Sequence, residues 1–338
     1  MKAIVVKKPG EICLQEVAKP VPPAGFARIR VKAAAICATD LEVIDGNIPA
    51  NYPLIPGHEW SGIVDAVGDP ADEGWLGRAV IGSSDVVCLK CEACRSGNWR
   101  YCKEFEEIGF RRNGAYGEYF LAPVYGLCEK PAHVPFENAA LCEPLGVALG
   151  TLKKADAAFG QTLVIYGAGS IGLCILAAAK AMGLGTTVVI ATTDARLEIA
   201  RQMGADHTVA SREQDALAAV KEIFPDGADL VIDATGMEEC IQNALRMTRK
   251  GGTVALAGYG RGKTMHIRMD DIHINNLRVV GAGNNWNQHA TAMSLMAQGK
   301  VDLTPFISAR ITPEEFEQGI EMARCRPAGF VKAVFVHE

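Results

Sequence analysis

Long apolar runs and clustered positive charge are missing from this chain of 338 residues, and its opening residues give no expectation of a secretory leader. Nothing approaches the roughly 18 consecutive apolar residues of a membrane-spanning helix, so no membrane partner is expected. No basic run of five or more occurs, and Lys+Arg total 34 against 39 Asp+Glu, a net charge of −5. Binding a polyanion needs a basic face that displaces counterions, so a nucleic-acid partner is not expected either. The start, MKAIVVKKPGEICLQEV, has an apolar stretch of only Ala3 to Val6 before Lys7 and Lys8, which does not make a signal peptide. Eleven cysteines without such a leader read as thiols and metal ligands in a reducing cytoplasm. The balance of 49% hydrophobic and 22% charged residues fits a globular chain. The length favours two domains.

The first third is broken by turn residues: Pro20, Pro22, Pro23, Gly25, Pro49, Pro53, Pro56, Gly57 and Gly62 separate short β-type runs such as ARIRVKAAAI and SGIVDAV. This texture predicts an antiparallel or barrel-like β domain. Near residue 145 the pattern changes. Apolar runs TLVIYG, TTVVIA, DLVIDATG and GGTVALAGYG alternate with helical segments, one of them from about Ser170 to Met182, and LRVVGAG reads as a last strand. Continuous apolar strands between helices are what a parallel sheet covered on both faces requires. The tail differs again: TPEEFEQGIEMA reads as a helix beginning at Thr312 or Pro313, and VKAVFVH as a closing strand. The expected division is a β-rich domain over 1–146, a parallel-sheet domain over 147–284, and a return to the first domain over 285–338.

TLVIYGAGSIGLCILAAAKAMG is a strand, a G-x-G-x-x-G turn and a helix in that order. Gly167 permits the tight turn, Gly169 lets backbone approach a pyrophosphate, and Gly172 lets the helix lie close to the strand. Free N–H groups at the helix start, with Ser170 and Ile171, then face the phosphates. About 20 residues on, an acid that binds the ribose 2′-hydroxyl is expected. The strand ends instead on Ala191-Thr192-Thr193, and Asp194 reads as a helix N-cap. A missing acid with Arg196 nearby tolerates a 2′-phosphate, so the reading leans to NADP over NAD. Arg196 reads equally well as a solvated helix residue.

Cys88, Cys91, Cys94 and Cys102 stand as C-x2-C-x2-C-x7-C within DVVCLKCEACRSGNWRYC. One loop of this spacing can wrap a tetrahedral zinc, and four thiolates leave no open position, so the role is structural. The other set is scattered: Cys37-Ala38-Thr39-Asp40, Gly57-His58-Glu59 and Cys142-Glu143-Pro144. Catalytic zinc keeps about three protein ligands and an open position. Spacing alone leaves open that His58 is a satisfied turn histidine and Cys37 a buried hydrophobe.

With CATD, YPLIPGHEWSG, the four-cysteine loop, GAYGEY, CEPLGVAL, YGAGSIG, DATG and GGTVALAGYG in the same order, the chain resembles the medium-chain zinc-containing alcohol dehydrogenases over essentially its whole length. The resemblance is to the branch of the sorbitol, threonine and galactitol-phosphate dehydrogenases. It implies an α/β protein: a GroES-like β-rich catalytic domain and a Rossmann doubly wound parallel-sheet domain, with the active site in the cleft. It implies two zincs per chain, one catalytic and one structural, together with NAD(P). Cys37 and His58 would bind the catalytic zinc, with Glu59 a direct or water-exchanging ligand. Glu143, in the E-P motif, would bind the metal or hold its water, with Cys142 one residue away. Thr39 would relay the substrate proton, Asp40 is a candidate to tune the metal but could equally be a turn-capping residue, and Arg310 matches more loosely an arginine that touches substrate. Phe110, Tyr116, Asn285 and Trp286 are pocket candidates. The chain departs from the family at Ala38, where glycine is usual, and at the absent cofactor acid.

The resemblance thus implies a dehydrogenase moving a hydride between NAD(P) and a secondary alcohol: a polyol, cyclitol, aminocyclitol or sugar derivative. It also implies a homodimer or homotetramer. A catalytically silent NAD(P)-binding member with a structural or sensor role is the alternative. Intact Cys37, His58 and Glu143 weigh against that alternative.

Overall fold

The computed structural model describes residues 1–284 and 287–337. Two compact units are present: Met1–Glu143 with His289–Glu338, and Pro144–Gln288.

In the first unit, strands β1 (Lys2–Lys8) and β2 (Glu11–Glu16) form an antiparallel hairpin. The main sheet is built on β3 (Phe26–Ala35), β4 (Glu59–Val67) and β5 (Ala79–Gly82). β3 shows why: Ala27, Ile29 and Val31 are fully buried while Arg28 and Arg30 alternate with them, the two-residue period of a half-buried strand. Short strands β6 (Asp85–Val86) and β7 (Glu106–Glu107) pair at the base of the four-cysteine loop. β8 (Tyr119–Pro123) pairs β3, and β9 (Leu127–Glu129) pairs β5.

The second unit carries β10 (Leu163–Tyr166), β11 (Thr187–Ala191), β12 (His207–Ala210), β13 (Ala228–Asp233), β14 (Thr248–Leu256) and β15 (Arg278–Gly281). They form one sheet in the order β12-β11-β10-β13-β14-β15, and every pairing is parallel. This is the doubly wound order whose direction reverses between β10 and β13, the point at which such sheets bind dinucleotides. The central strands are apolar on both faces, as strands covered by helices must be: Val164, Val188, Ile190, Val231 and Val254 are fully buried. After this unit the chain adds β16 (Ile307–Ile311) and β17 (Lys332–Val336) to the first sheet, giving the order β16-β17-β3-β4-β5-β9.

Sequence and structure agree closely on the helix after the glycine turn, which runs Ser170–Met182. The tail helix enters through a capping box, in which Thr312 and Glu315 satisfy each other's backbone, and continues over Phe316–Cys325. At the end of β11 the sequence reading needs correction: Thr193 is the N-cap, and Asp194 lies in the first turn, ion-paired with Arg201 at 2.9 Å. β12 has no strong signature in the sequence, since HTVA is short and begins on a polar residue.

The helix starting at Ser170 lies against β10 because Gly172 has no side chain. A Cβ there would fall 1.8 Å from the Gly167 carbonyl oxygen, so something would have to move. Overpacking of this kind costs ~1–3 kcal/mol. Gly172→Ala is expected to lower the melting temperature by about 2–10 °C and to weaken NADH binding measured by nicotinamide fluorescence. Wild-type values for both would contradict the close-packing role.

Candidate active site

The chemistry gathers where β3 ends. The register pairs Ala35 with Glu59 across β3 and β4, and Ala35 with Val334 across β3 and β17. Cys37 lies two residues past the end of β3, His58 directly precedes β4, and Lys332 opens β17, so residues far apart in sequence meet at one end of one sheet. The Cys37 sulfur, a His58 ring nitrogen and a Glu59 carboxylate oxygen all lie within 4.8 Å of one another.

Asp40 organises them. It is fully buried in helix α1 (Ala38–Ile44). Its Oδ2 accepts from the Cys37 backbone N–H at 2.8 Å and from the Tyr116 hydroxyl at 2.6 Å. Its Oδ1 lies 3.1 Å from His58 Nδ1. Burial alone would raise the Asp40 pKa, but the His58 charge and these hydrogen bonds bring it below the ordinary value. An ionised Asp40 accepts the Nδ1–H of His58 and leaves Nε2 directed at Cys37 and Thr39. That is the arrangement in which a carboxylate fixes a metal-binding histidine. Burial lowers the His58 pKa, yet the negative charges of Asp40 and Cys37 carry it well above the usual histidine value. The Thr39 hydroxyl sits 2.9 Å from the Cys37 sulfur and 3.5 Å from His58 Nε2.

Tyr116, a pocket candidate by sequence, is instead a buried support. Its hydroxyl donates to Asp40, and its ring lies over Gly57, where a Cβ would come within 2.4 Å of the ring. Gly57 has φ +97, so a larger residue would be both strained and obstructed at the approach to His58. Phe110 packs on the His58 ring at a centroid distance of 5.1 Å.

Glu59 carries a partner that the sequence reading missed. Lys332 Nζ lies 2.5 Å from Glu59 Oε1 and 3.3 Å from the Ile36 carbonyl oxygen, and the Glu59 and Lys332 side chains are only 1% and 4% exposed. Glu59 Oε2 is buried and has no hydrogen-bond partner. The signal for Lys332 was a single lysine heading an otherwise apolar strand, KAVFV. An orphaned carboxylate oxygen beside a thiol and an imidazole nitrogen is a donor set that suits zinc.

Glu143 lies outside the group whose ligand atoms fall within 4.8 Å of one another. It lies in the first turn of helix α2 (Cys142–Lys154), so α1 and α2 both begin near this chemistry. Burial pushes its carboxyl up to about 8; the His58 charge opposes that shift and the Glu59 charge adds to it. Cys142 is engaged elsewhere, its thiol donating to the His289 carbonyl at 3.3 Å. Of these two neighbours, Glu143 is the one electrostatically coupled to His58 and Glu59. Arg310, on β16, has its Nε 3.3 Å from a Glu137 carboxylate oxygen and is half exposed. Asn285 and Trp286 lie outside the described residues.

The four-cysteine loop is also assembled. All four sulfurs lie within 4.8 Å of one another, with Cys88 to Cys94 at 3.9 Å and Cys88 to Cys102 at 3.6 Å. Sulfurs bound at about 2.3 Å around one tetrahedral ion stand roughly 3.8 Å apart, so the loop has the dimensions of a zinc site. The backbone N–H groups of Cys91, Cys88 and Glu104 point at cluster sulfurs. Backbone N–H groups draw the Cys91 thiol down to about 6, while burial pushes Cys94 up to about 12. Four sulfurs at this spacing form a cage that a single cation would fit.

In the second unit, Gly169 caps the helix that begins at Ser170, and a Cβ on Gly169 would meet nothing within 4 Å. The Ser170 hydroxyl is buried without a hydrogen-bond partner. Open space and an unsatisfied hydroxyl at the carboxyl end of β10 fit a phosphate group. Thr192 is exposed just beyond β11, and Arg196 lies half-buried in the next helix.

Comparison with known proteins agrees with this geometry. The sequence profile described as "Alcohol dehydrogenase GroES-like domain" matches residues 23–132, and that described as "Zinc-binding dehydrogenase" matches 170–298. The chain is 31% identical to sorbitol dehydrogenase of Bacillus subtilis over 331 residues, covering 96% of this chain and 93% of that one. It is 32% identical to L-threonine 3-dehydrogenase of Pyrococcus horikoshii over 351 aligned positions, covering 99% and 98%. A zinc-binding dehydrogenase of Sinorhizobium meliloti, solved bound to NADP, superposes with a TM-score of 0.92 at 30% identity, covering 99% of each chain. The chain belongs to the medium-chain zinc-binding alcohol dehydrogenase family. It is a zinc-dependent, nicotinamide-dependent oxidoreductase of secondary alcohols, and its named relatives lend no support to the catalytically silent alternative.

Asp40→Asn keeps the size of the side chain but removes the charge that holds His58. The zinc affinity of this site is expected to fall about 10–100-fold, measured by competition with a chromophoric chelator, while the four-cysteine loop keeps its metal. Unchanged affinity would remove Asp40 from the site's organisation.

Proposed function

We propose that the chain oxidises a polyol, cyclitol, aminocyclitol or related sugar derivative at a secondary hydroxyl. In this reading Cys37, His58 and Glu59 hold the catalytic zinc and Glu143 holds its water or completes its ligand set. A second zinc sits in the loop of Cys88, Cys91, Cys94 and Cys102. The observation that carries the reading is the convergence of a thiol, an Asp40-oriented imidazole and an orphaned carboxylate oxygen within 4.8 Å.

Zinc, when bound, supplies Lewis acidity that lowers the pKa of a hydroxyl, and the nicotinamide supplies the hydride acceptor. The protein's residues do the rest. Thr39, beside both Cys37 and His58, accepts the substrate hydroxyl proton on Oγ1 and passes its own proton outward. The substrate carbon gives up a hydride and becomes a carbonyl carbon. Phe110, packed on His58, forms an apolar wall that limits water. Gly167, Gly169, Ser170, Ile171 and Gly172 bind the pyrophosphate, and Thr192 and Arg196 the adenosine ribose.

The lean to NADP is supported by the acid-free end of β11, by Arg196, and by the NADP held in the relative from Sinorhizobium meliloti. Sorbitol and threonine are substrates named for relatives and set the classes to test. Arg310 is a candidate substrate contact on the family resemblance alone. The same resemblance supports a homodimer or homotetramer. The cysteine content supports a cytoplasmic location.

The test is a screen of polyols, cyclitols, amino alcohols and sugar acids with NAD+ and NADP+, following absorbance of the reduced nicotinamide, on the wild type and on Glu143→Ala. Turnover with at least one secondary alcohol is expected, with NADP+ the better acceptor. Glu143→Ala is expected to lose most of that turnover, by about 10–100-fold, while melting like the wild type. Full activity in the variant would remove Glu143 from the site.

A further inference from the structure

Lys332 is the one group in this cluster whose position makes no sense for a bystander. An ammonium costs several kcal/mol to bury unless it is paired, and a position that opens an apolar strand could hold any aliphatic residue. Lys332 Nζ reaches Glu59 Oε1 at 2.5 Å and the Ile36 carbonyl at 3.3 Å, both from buried positions. It takes one oxygen of the carboxylate and leaves the other, Oε2, without a partner. The sheet register fixes this division. Glu59 and Lys332 enter from strands on opposite sides of β3, so the carboxylate is gripped from one side and open on the other.

From this arrangement we propose that Lys332 is a positioning residue that restricts Glu59 to one oxygen toward the metal and thereby makes it an exchangeable ligand. The inference rests on the reading that Cys37, His58 and Glu59 share a zinc. Two effects act in the same direction. The ammonium occupies Oε1, so bidentate capture of the metal is blocked. Its positive charge also stands close to where a cation would sit and disfavours tight binding. Without Lys332, the buried carboxylate would depend on the metal for its compensating charge and would hold it more firmly.

The test uses full-length protein and compares wild type, Lys332→Met, Glu59→Gln and Lys332→Met/Glu59→Gln. Two readouts are independent of turnover: the rate of zinc loss to excess chelator, and the visible d–d spectrum after cobalt(II) substitution. Lys332→Met is expected to release the metal of this site about tenfold more slowly and to shift the cobalt bands, because Glu59 becomes a fixed ligand. In the Glu59→Gln background, adding Lys332→Met should leave the cobalt bands where Glu59→Gln alone puts them. This pair also tests the proposal if the buried, unpaired carboxylate of Lys332→Met prevents folding, since the double variant carries no such charge. If Lys332→Met loses zinc at or above the wild-type rate with an unshifted spectrum, the proposal is overturned. A band shift on adding Lys332→Met to Glu59→Gln would also overturn it, because the lysine would then act by some route other than Glu59. If the wild type binds no zinc at Cys37 and His58 at all, the underlying reading has failed as well, and metal analysis of the wild type distinguishes that case.

Discussion

The site depends on one buried carboxylate. Asp40 binds the backbone where β3 becomes α1, the imidazole of His58 and the hydroxyl of Tyr116, and it is wholly withdrawn from water. A buried charge of this kind is tolerable only because each of its oxygens has a partner. Those same partners fix the Cys37 turn, the histidine tautomer and the aromatic ring that closes over Gly57. Asp40 therefore links the local fold to the chemistry: the interaction that satisfies a buried acid is the one that points Nε2 at Cys37 and Thr39.

A second opposed pair lies across the same sheet end. Glu59 and Lys332 neutralise one another inside the protein, but only one carboxylate oxygen takes part. With Cys37, Glu59 and the nearby Glu143 all ionised, the surroundings of His58 would be heavily negative. The structure balances this charge with the lysine, with the proton favoured on His58 and with the raised pKa of Glu143. A divalent cation bound here would displace those protons, so its binding would be coupled to proton release.

Much of the fold was legible because the parallel sheet leaves a strong imprint: uninterrupted apolar strands, a glycine turn and an apolar helix predicted over Ser170 to Met182 and found there. The four-cysteine loop was legible because its ligands are close in sequence. The scattered set was not readable from spacing, since Cys37, His58 and Glu59 meet only through the register of β3 with β4, and the family resemblance was needed to join them. Lys332 was missed because a lysine at a strand start usually lies in solvent; only the pairing of β17 with β3 brings it to Glu59. Tyr116 was placed in a pocket because aromatic residues near a site commonly line it, whereas here the Asp40 hydrogen bond draws it beneath the site. The N-cap at Thr193 rather than Asp194 is a one-residue boundary error of the usual kind.

In the proposed arrangement a thiol, an imidazole and a carboxylate drawn from distant parts of one sheet share one metal ion, separate from the four-sulfur centre. Anomalous diffraction at the zinc edge, on crystals of the protein purified without chelator, tests it most directly. Two zinc peaks per chain are expected, one about 2.3 Å from all four loop sulfurs and one about 2.3 Å from the Cys37 sulfur and about 2.1 Å from Nε2 of His58. A single peak in the cysteine loop, with Cys37 and His58 unmetallated and directed into unrelated surroundings, would contradict it.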